Sequence, residues 1–102
     1  MHARHKRFKL DPTRLAAAAE DFKQGQDLED FRNQRGYKGI TLIGDSKTGE
    51  AKLISRWERK DDADTGGVKA LDKRASDQLR NDGGGTGEVS SDEWDVVVDD
   101  KP

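Results

Sequence analysis

The chain has 102 residues, no cysteine, 39% charged and 30% hydrophobic residues, which allows one modest core and excludes disulfides, thiolate metal sites and cysteine nucleophiles. The net charge is only −2, so the chain lacks the high net charge of many disordered proteins. No apolar run approaches the ~18 residues of a membrane span. The basic N-terminus lacks the apolar segment of a signal peptide, so we expect a soluble, cytoplasmic protein without membrane contacts.

The first element is a short strand predicted within residues 2–10, where Phe8 and Leu10 share one face. This segment also carries four Lys or Arg residues and two His residues. Such a basic run could meet phosphate or an acidic lipid surface. We favour cross-strand ion pairs with the acidic residues around Trp94 and Val96-Val97-Val98 near the other end of the chain. The histidines have no companions at a ligand spacing, so no metal site is expected.

A helix follows, which we predict to begin at Asp11-Pro12, with Asp as the N-cap and Pro at the first helical position. Gly25 weakens this helix, and a second apolar pair extends or restarts it before Gly36 ends it in a left-handed conformation. The apolar residues recur with helical spacing: Leu15, Ala18, Ala19 and Phe22, then Leu28 and Phe31.

A β-hairpin over residues 36–57 is the strongest structural signal in the chain. Tyr37 to Ile43 is rich in strand-forming residues, and Ala51 to Trp57 alternates apolar with polar residues. Asp45 to Glu50 supplies the turn, because Asp and Ser bond their own backbone and Gly49 tolerates positive φ. The alternation places Ala51, Leu53, Ser55 and Trp57 on one face and Lys52, Ile54, Arg56 and Glu58 on the other.

Beyond the hairpin, Asp61, Asp62, Asp64 and Thr65 lead into a second helix, predicted from Gly67 to Arg80. Its apolar residues recur with helical spacing: Val68, Leu71, Ala75 and Leu79. The glycine-rich segment 81–91 is predicted to be a flexible loop, and Glu93 to Asp99 the last strand. The aspartates lack the spacing of a calcium loop, and the glycines lack the Lys-Ser/Thr of a P-loop. We therefore expect neither a calcium site nor a nucleotide site here.

The order strand, helix, strand, strand, helix, strand is that of the ferredoxin-like fold. We predict an α+β domain over residues 1–102, with a four-stranded antiparallel sheet, two helices on one face and loose termini. In this topology the first and last strands are neighbours, so the basic and acidic segments would meet.

Several short motifs of the hairpin resemble the antibiotic biosynthesis monooxygenase-like family of dimeric α/β barrels. In that family a Pro-Gly-Phe-x-Gly motif, an Asp-x-x-Thr-Gly turn and a Trp-Glu-Ser strand end follow one another. Arg35 and Arg59 replace the family's Pro and Ser. The corresponding residues here are Gly36-Tyr37-Lys38-Gly39, Asp45, Thr48-Gly49-Glu50-Ala51 and Trp57-Glu58. Asp11-Pro12, Leu15 and Val96-Val97-Val98 also fall where the family would place them, so the resemblance covers most of residues 3–100.

The resemblance implies a homodimer whose sheets pack face to face, with a cavity between sheet and helices. Some family members oxidise phenolic compounds with oxygen and no cofactor, and others degrade haem. The haem-degrading members use an Asn on the first strand, a Trp at the end of the third strand and a His on the second helix. Of these three residues, this chain has only the counterpart of the Trp, which is Trp57. We therefore expect no haem chemistry and no cofactor.

For an oxygenase of this kind, a small aromatic ligand would occupy a cavity lined by Trp57, Tyr37, Phe22, Phe8 and Arg4. Trp57 would stack on the ring, and Tyr37 or Arg4 would bond a phenolate oxygen. The alternative is that the aromatic residues form the core, with Tyr37 at its rim. The sequence does not identify a catalytic base or a complete catalytic set.

The second functional hypothesis is a non-enzymatic ferredoxin-like binding or assembly module, natural or redesigned with a polar surface. The charged face of the third strand favours it, since Lys52 and Arg56 would need acidic partners inside a dimer interface. Nucleic-acid binding is not expected, because the basic segment is offset by acids and no RNP1-like aromatic pattern occurs.

Overall fold

The computed structural model describes residues 1–98 and 100. This part of the chain forms four strands and four helices, in the order β1 (His2–Lys9), α1 (Leu15–Gln24), α2 (Gln26–Arg32), β2 (Tyr37–Gly44), β3 (Glu50–Trp57), α3 (Lys60–Ala63), α4 (Gly66–Gly83) and β4 (Thr86–Asp95).

The strands form one antiparallel sheet in the order β2-β3-β1-β4. This order is the ferredoxin-like arrangement, so the predicted α+β fold is confirmed. β1 lies between β3 and β4, with His2 opposite Trp57 on one side and Asp95 on the other. The predicted proximity of the two chain ends follows from this register.

The hairpin prediction is also confirmed. Asp45 Oδ1 accepts a hydrogen bond from Lys47 N, and the backbone N–H of Asp45 donates to Glu50 O. Gly49 has φ +83°, and a Cβ built there would lie 1.9 Å from Leu10 O. Glycine is therefore required both by the conformation and by the close approach of the chain after β1.

The core lies between one face of the sheet and the helices. Its strand residues are the predicted inward set of β3, all of which are buried, together with Phe8. The helices contribute Ala18, Phe31, Ala63, Val68, Leu71, Ala75 and Leu79. Helical spacing of these residues on α4 buries one stripe of that helix and leaves its other faces to polar side chains.

Two helix starts differ from the sequence-based expectation. α1 begins at Leu15, because Asp11 Oδ1 accepts hydrogen bonds from the backbone and hydroxyl of Thr13 and closes a turn there. The predicted capping by Asp11 is therefore wrong. Thr65 caps α4 by accepting a hydrogen bond from Val68 N, so α4 begins at Gly66. Gly25 separates α1 from α2, as expected.

The C-terminal elements also differ. The segment 81–91, predicted to be a flexible loop, contains the end of α4, a two-residue connection and the first half of β4. Gly84 has φ +65° and terminates α4. β4 ends at Asp95. Val97 and Val98, which were predicted to belong to this strand, follow it with 90% and 82% of their surface exposed. Asp99, the predicted end of the last strand, lies outside the described residues.

In the part of the chain that the structure describes, no helix is both long enough and apolar enough to cross a membrane.

Candidate functional site

Trp57, the central residue of the predicted aromatic cavity, is fully buried at the end of β3. Its ring packs at centroid distances of 6.0 Å from Tyr37 and 6.4 Å from Phe31. Its Nε1 donates a hydrogen bond of 2.9 Å to Ser55 Oγ, which satisfies the one polar atom of the indole. Trp57 is therefore integrated into the core, and Tyr37 is half-buried beside it.

Phe8 and Phe22 line two different cavities, and Trp57 lines neither of them. Phe22 lines a cavity of about 330 Å³ between α1, α2 and α4, whose wall includes Asp21, Asp27 and Asp82. Phe8 is 5% exposed and borders a separate depression near the β2–β3 turn. The structure thus distributes the predicted aromatic residues over several places between the sheet and the helices.

Arg4 is held by three carboxylates on the helix side of the sheet. Its Nη1 lies 2.9 Å from Glu93 Oε1 and 3.7 Å from Asp64 Oδ1, and its Nε lies 3.3 Å from Asp72 Oδ2. Nη1 also donates to the carbonyl oxygen of Ala63. These contacts offset the Arg4 charge, so this guanidinium has little capacity left for a phenolate.

The pairs between β1 and β4 confirm the predicted meeting of basic and acidic segments. Besides the Arg4–Glu93 pair, His2 lies 3.3 Å from Asp95 and Arg7 lies 3.4 Å from Asp92. These contacts follow from the antiparallel register of the two strands.

A groove of about 590 Å³ lies between α4 and the β1–β4 edge of the sheet. We call it the cationic groove. Its lining residues are Arg4, Lys6, Lys69, Lys73, Ser76, Asp77, Arg80, Gly87 and Val89. The volume is within the usual range of small-molecule sites. Of the residues predicted from the sequence, Arg4 borders this groove.

The basic residues of the groove come from two elements with different periods. Lys69, Lys73, Ser76 and Arg80 follow one another at intervals of four, three and four residues, which places them along one face of α4. Arg4 and Lys6 alternate on the helix-facing side of β1. Sequence reasoning found the apolar stripe of α4 and missed this second, basic stripe, although the same period could have revealed it.

The pKa values of two carboxyl groups near the groove are shifted in opposite directions. The hydrogen bond from Lys73 and the positive charges of Lys73, Arg80 and Lys6 lower the pKa of Asp77. Burial raises the pKa of Asp72, and this effect exceeds the attraction of Arg4 and Lys6. Asp77 is therefore firmly ionised near neutral pH, whereas ionised Asp72 is destabilised by its burial.

The opposite, helix-free face of the sheet has a different character. Trp94 and Ile43 expose 55% and 46% of their surface there. His5 lies beside Trp94, with ring centroids 6.5 Å apart, and burial lowers its pKa, helped by the charge of Arg7. Arg56 lies along Gly39 and donates a hydrogen bond to Thr41 Oγ1. This face thus combines exposed apolar surface with scattered cations.

Among the described residues, no group of three or more His, Asp or Glu side chains is arranged to hold a metal ion.

Solved structures with the same fold cover nearly the whole chain. A monooxygenase from Streptomyces coelicolor, solved in complex with the ligand nanaomycin D, matches with a TM-score of 0.75 and 16% identity over 99% of this chain and 91% of its own. A cofactor-independent oxygenase from Streptomyces nogalater matches with a TM-score of 0.59 and 15% identity over 96% of this chain and 94% of its own. An antibiotic biosynthesis monooxygenase matches with a TM-score of 0.60 and 14% identity over 96% of this chain and all of its own, 100%.

No family model matches the sequence, and no curated protein has a significantly similar sequence. The resemblance to antibiotic biosynthesis monooxygenases is thus confirmed by structural matches over nearly the full length, and at these identities the matches establish the fold.

Proposed function

We propose that the protein binds a phenolic aromatic compound in the cationic groove and oxidises it with molecular oxygen and no cofactor. In the simplest such reaction a phenol and O₂ give a quinone and water. One oxygen atom enters the ring, the other leaves as water, and the phenol supplies all the electrons. This reaction proceeds through the phenolate, so the protein must favour the ionised form of its substrate.

The excess of cations in the groove is the observation that carries this proposal. A free phenol has a pKa of about 10. An opposite charge within about 4–6 Å lowers such a pKa by about 1–3 units. Lys6 and Lys69 line the groove with Lys73, so their field favours a phenolate there. Because the groove is open, solvent can accept the phenolic proton.

The shared fold supports the same reaction class. Both Streptomyces structures are oxygenases, one of them solved with the ligand nanaomycin D and the other described as cofactor-independent. A role in substrate binding for Trp57, Tyr37, Phe22 and Phe8 stays a prediction, since each belongs to or borders the packed interior.

A non-enzymatic binding module is the second candidate. The full burial of Trp57 and the engagement of Arg4 with three carboxylates favour it, because neither residue is free to contact a ligand. The same groove would then bind an anionic ligand without oxidising it.

We also propose a homodimer formed through the helix-free face of the sheet. Exposed Trp94 and Ile43 would supply apolar contacts, and Lys52 and Arg56 would pair with acidic groups of the second copy.

Oxygen consumption with a panel of hydroxylated naphthalenes tests the oxygenase. We expect protein-dependent O₂ uptake, with the phenolate absorbance appearing at a lower pH in the bound ligand than in the free one. Lys69→Gln should weaken both effects, whereas Lys47→Gln in the β2–β3 turn should change neither. Binding without any O₂ uptake across the panel would favour the non-enzymatic module.

A further inference from the structure

His5 lies in the middle of the helix-free face of the sheet, between its two exposed apolar side chains. Along the strands, Trp94 is level with Ala3. Ile43 is level with Arg7. His5 follows Ala3 and precedes Arg7 on the same face of β1, and β1 lies between the strands that carry Trp94 and Ile43. A second copy of the chain that covers both apolar side chains therefore also covers His5.

The imidazole ring of His5 is poorly placed to carry a positive charge. Its Nδ1 is buried and has no hydrogen-bond partner in the part of the chain that the structure describes. Protonation would turn this nitrogen into a buried, charged donor without an acceptor, which costs more than a neutral unpaired nitrogen. Trp94 would compensate little, since the 6.5 Å between the ring centroids exceeds the roughly 6 Å of an effective cation–π contact.

The charged groups around His5 add to this cost. Arg7 on the same strand and Lys52 on β3 lie opposite each other and are both positive. Asp92, opposite His5 on β4, is negative, but it also lies 3.4 Å from Arg7 and is shared with that guanidinium. These three groups together carry one positive charge. Burial and the charge of Arg7 lower the pKa of His5 by more than Asp92 raises it, so His5 is largely neutral at pH 7.

The other charged residues of this face lie farther from its middle. Arg56 donates a hydrogen bond to Thr41 on β2, on the side of β3 that is remote from β1. Glu50 begins β3, where it is opposite Lys9, and Glu58 follows the end of β3. The carboxylates of β3 are therefore near the two ends of the face, and the middle around His5 keeps its excess of positive charge.

We infer that His5 is a pH-sensitive switch of the proposed homodimer: the neutral ring allows the two sheet faces to pack together, and protonation of the ring separates them. This inference rests on the homodimer proposed above and adds how its assembly is controlled. A two-fold interface presents the same face from each copy, so Arg7 and Lys52 of both copies would surround the two His5 rings.

The direction of the pH dependence follows from this surrounding. Packing withdraws His5 further from water and places it among more cations, so the dimer binds protons less readily than the monomer. The dimer is therefore at full strength above the pKa of His5 in the monomer, and it weakens as the pH falls below about 6.5, the ordinary pKa of histidine.

Sedimentation equilibrium at pH 7.5 and pH 5.5, at one ionic strength, tests the inference. We expect the dissociation constant of the wild-type dimer to rise about tenfold at the lower pH, because each dimer contains two His5 rings. His5→Gln stays neutral and should form a dimer of equal strength at both pH values. His5→Lys is charged at both and should dissociate about tenfold more readily than wild type at pH 7.5. Circular dichroism of each variant checks that the fold is retained.

His2→Gln is the matched control. His2 is the other of the two histidines of the chain, and it is buried on the helix side, 3.3 Å from Asp95. This variant should keep the pH dependence of the wild type. Proton NMR of the imidazole rings identifies the titrating group, since the signal that is missing in His5→Gln should titrate over the pH range in which the wild-type dimer dissociates.

Three results would overturn the switch and leave the homodimer in place: a wild-type dimer of unchanged strength at pH 5.5, a His5→Gln dimer that weakens as the wild type does, or a His5→Lys dimer as strong as the wild type at pH 7.5. A wild-type monomer at both pH values would overturn the switch and the homodimer together. These measurements use neither a phenol nor oxygen, so a failure of the proposed oxygenase would leave the result for His5 unaffected.

Discussion

Arg4 and Asp72 form an ion pair across the boundary between β1 and α4, with Arg4 Nε 3.3 Å from Asp72 Oδ2. The Asp72 side chain is 2% exposed and that of Arg4 11%. Burial raises the pKa of Asp72 in spite of the nearby guanidinium, so desolvation exceeds the attraction between the two charges. This polar pair occupies space between sheet and helix that apolar side chains would otherwise fill.

The two halves of this pair should respond differently to mutation. Arg4→Met leaves the buried Asp72 carboxylate without its cation, and we expect a loss of about 3–5 kcal/mol in the free energy of unfolding. Asp72→Asn removes the costly charge while Arg4 keeps Glu93 and Asp64, so its effect at pH 7 should be much smaller. Urea denaturation of both variants measures the difference. Equal losses of stability in the two variants would contradict the conclusion that the buried charge of Asp72 is costly and depends on Arg4.

Asp72 also predicts a pH dependence. The pKa of Asp72 is higher in the folded protein than the ordinary value of 3.8. The protonated Asp72 side chain therefore stabilises the fold fully below pH 3.8, and this stabilisation is lost as the pH rises through the folded-state pKa. Asp72→Asn should lack this decline. Urea midpoints of wild type and variant, measured from pH 3 to pH 8, should therefore differ most in slope within that window. Parallel curves would refute the prediction.

Gly49 and Gly66 offer a matched test of backbone constraints. Gly49→Ala places a Cβ against Leu10 O at φ +83°, and we expect a loss of about 1–3 kcal/mol in stability. Gly66 begins α4, and a Cβ added there would meet no atom within 4 Å, so Gly66→Ala should raise stability by up to about 0.5–1 kcal/mol. Thermal denaturation distinguishes the two. A tolerated Gly49→Ala would contradict the hairpin geometry.

Trp57→Phe separates a core role from a ligand role. Phenylalanine leaves a small cavity and removes the hydrogen bond to Ser55, so we expect a loss of about 1–3 kcal/mol with the fold retained. Ligand affinity of the cationic groove should stay unchanged. Full stability together with lost turnover would instead place Trp57 in the substrate site, in agreement with the sequence-based hypothesis.

The proposed dimer predicts a mass that depends on Trp94. Sedimentation equilibrium of the wild-type protein should give twice the chain mass of 11.4 kDa, and Trp94→Glu should shift it toward the monomer. Lys23→Gln on α1 changes the net charge by the same amount and serves as the control. A wild-type monomer at both low and high salt would exclude the interface.

Local sequence signals determined much of this fold. The Asp45 to Gly49 turn, the alternation of β3 and the apolar stripes of the helices each depend on a few neighbouring residues, and all three were predicted correctly. The cross-strand pairs of Arg4 and Arg7 followed from the order of elements, since that order makes β1 and β4 neighbours.

Other features depend on contacts between distant segments, and only the tertiary structure decided them. Asp11 closes a turn with Thr13 and does not cap α1. β4 begins at Thr86 because the pairing of Thr86 with Lys9 outweighs the loop propensity of the glycines. The cationic groove joins a helical stripe that includes Lys69 to alternate residues of β1 more than 60 positions away. The sequence shows the helical spacing of the α4 cations and the alternation of the β1 cations separately. Only the packing of α4 on the sheet brings these two sets of cations to one groove.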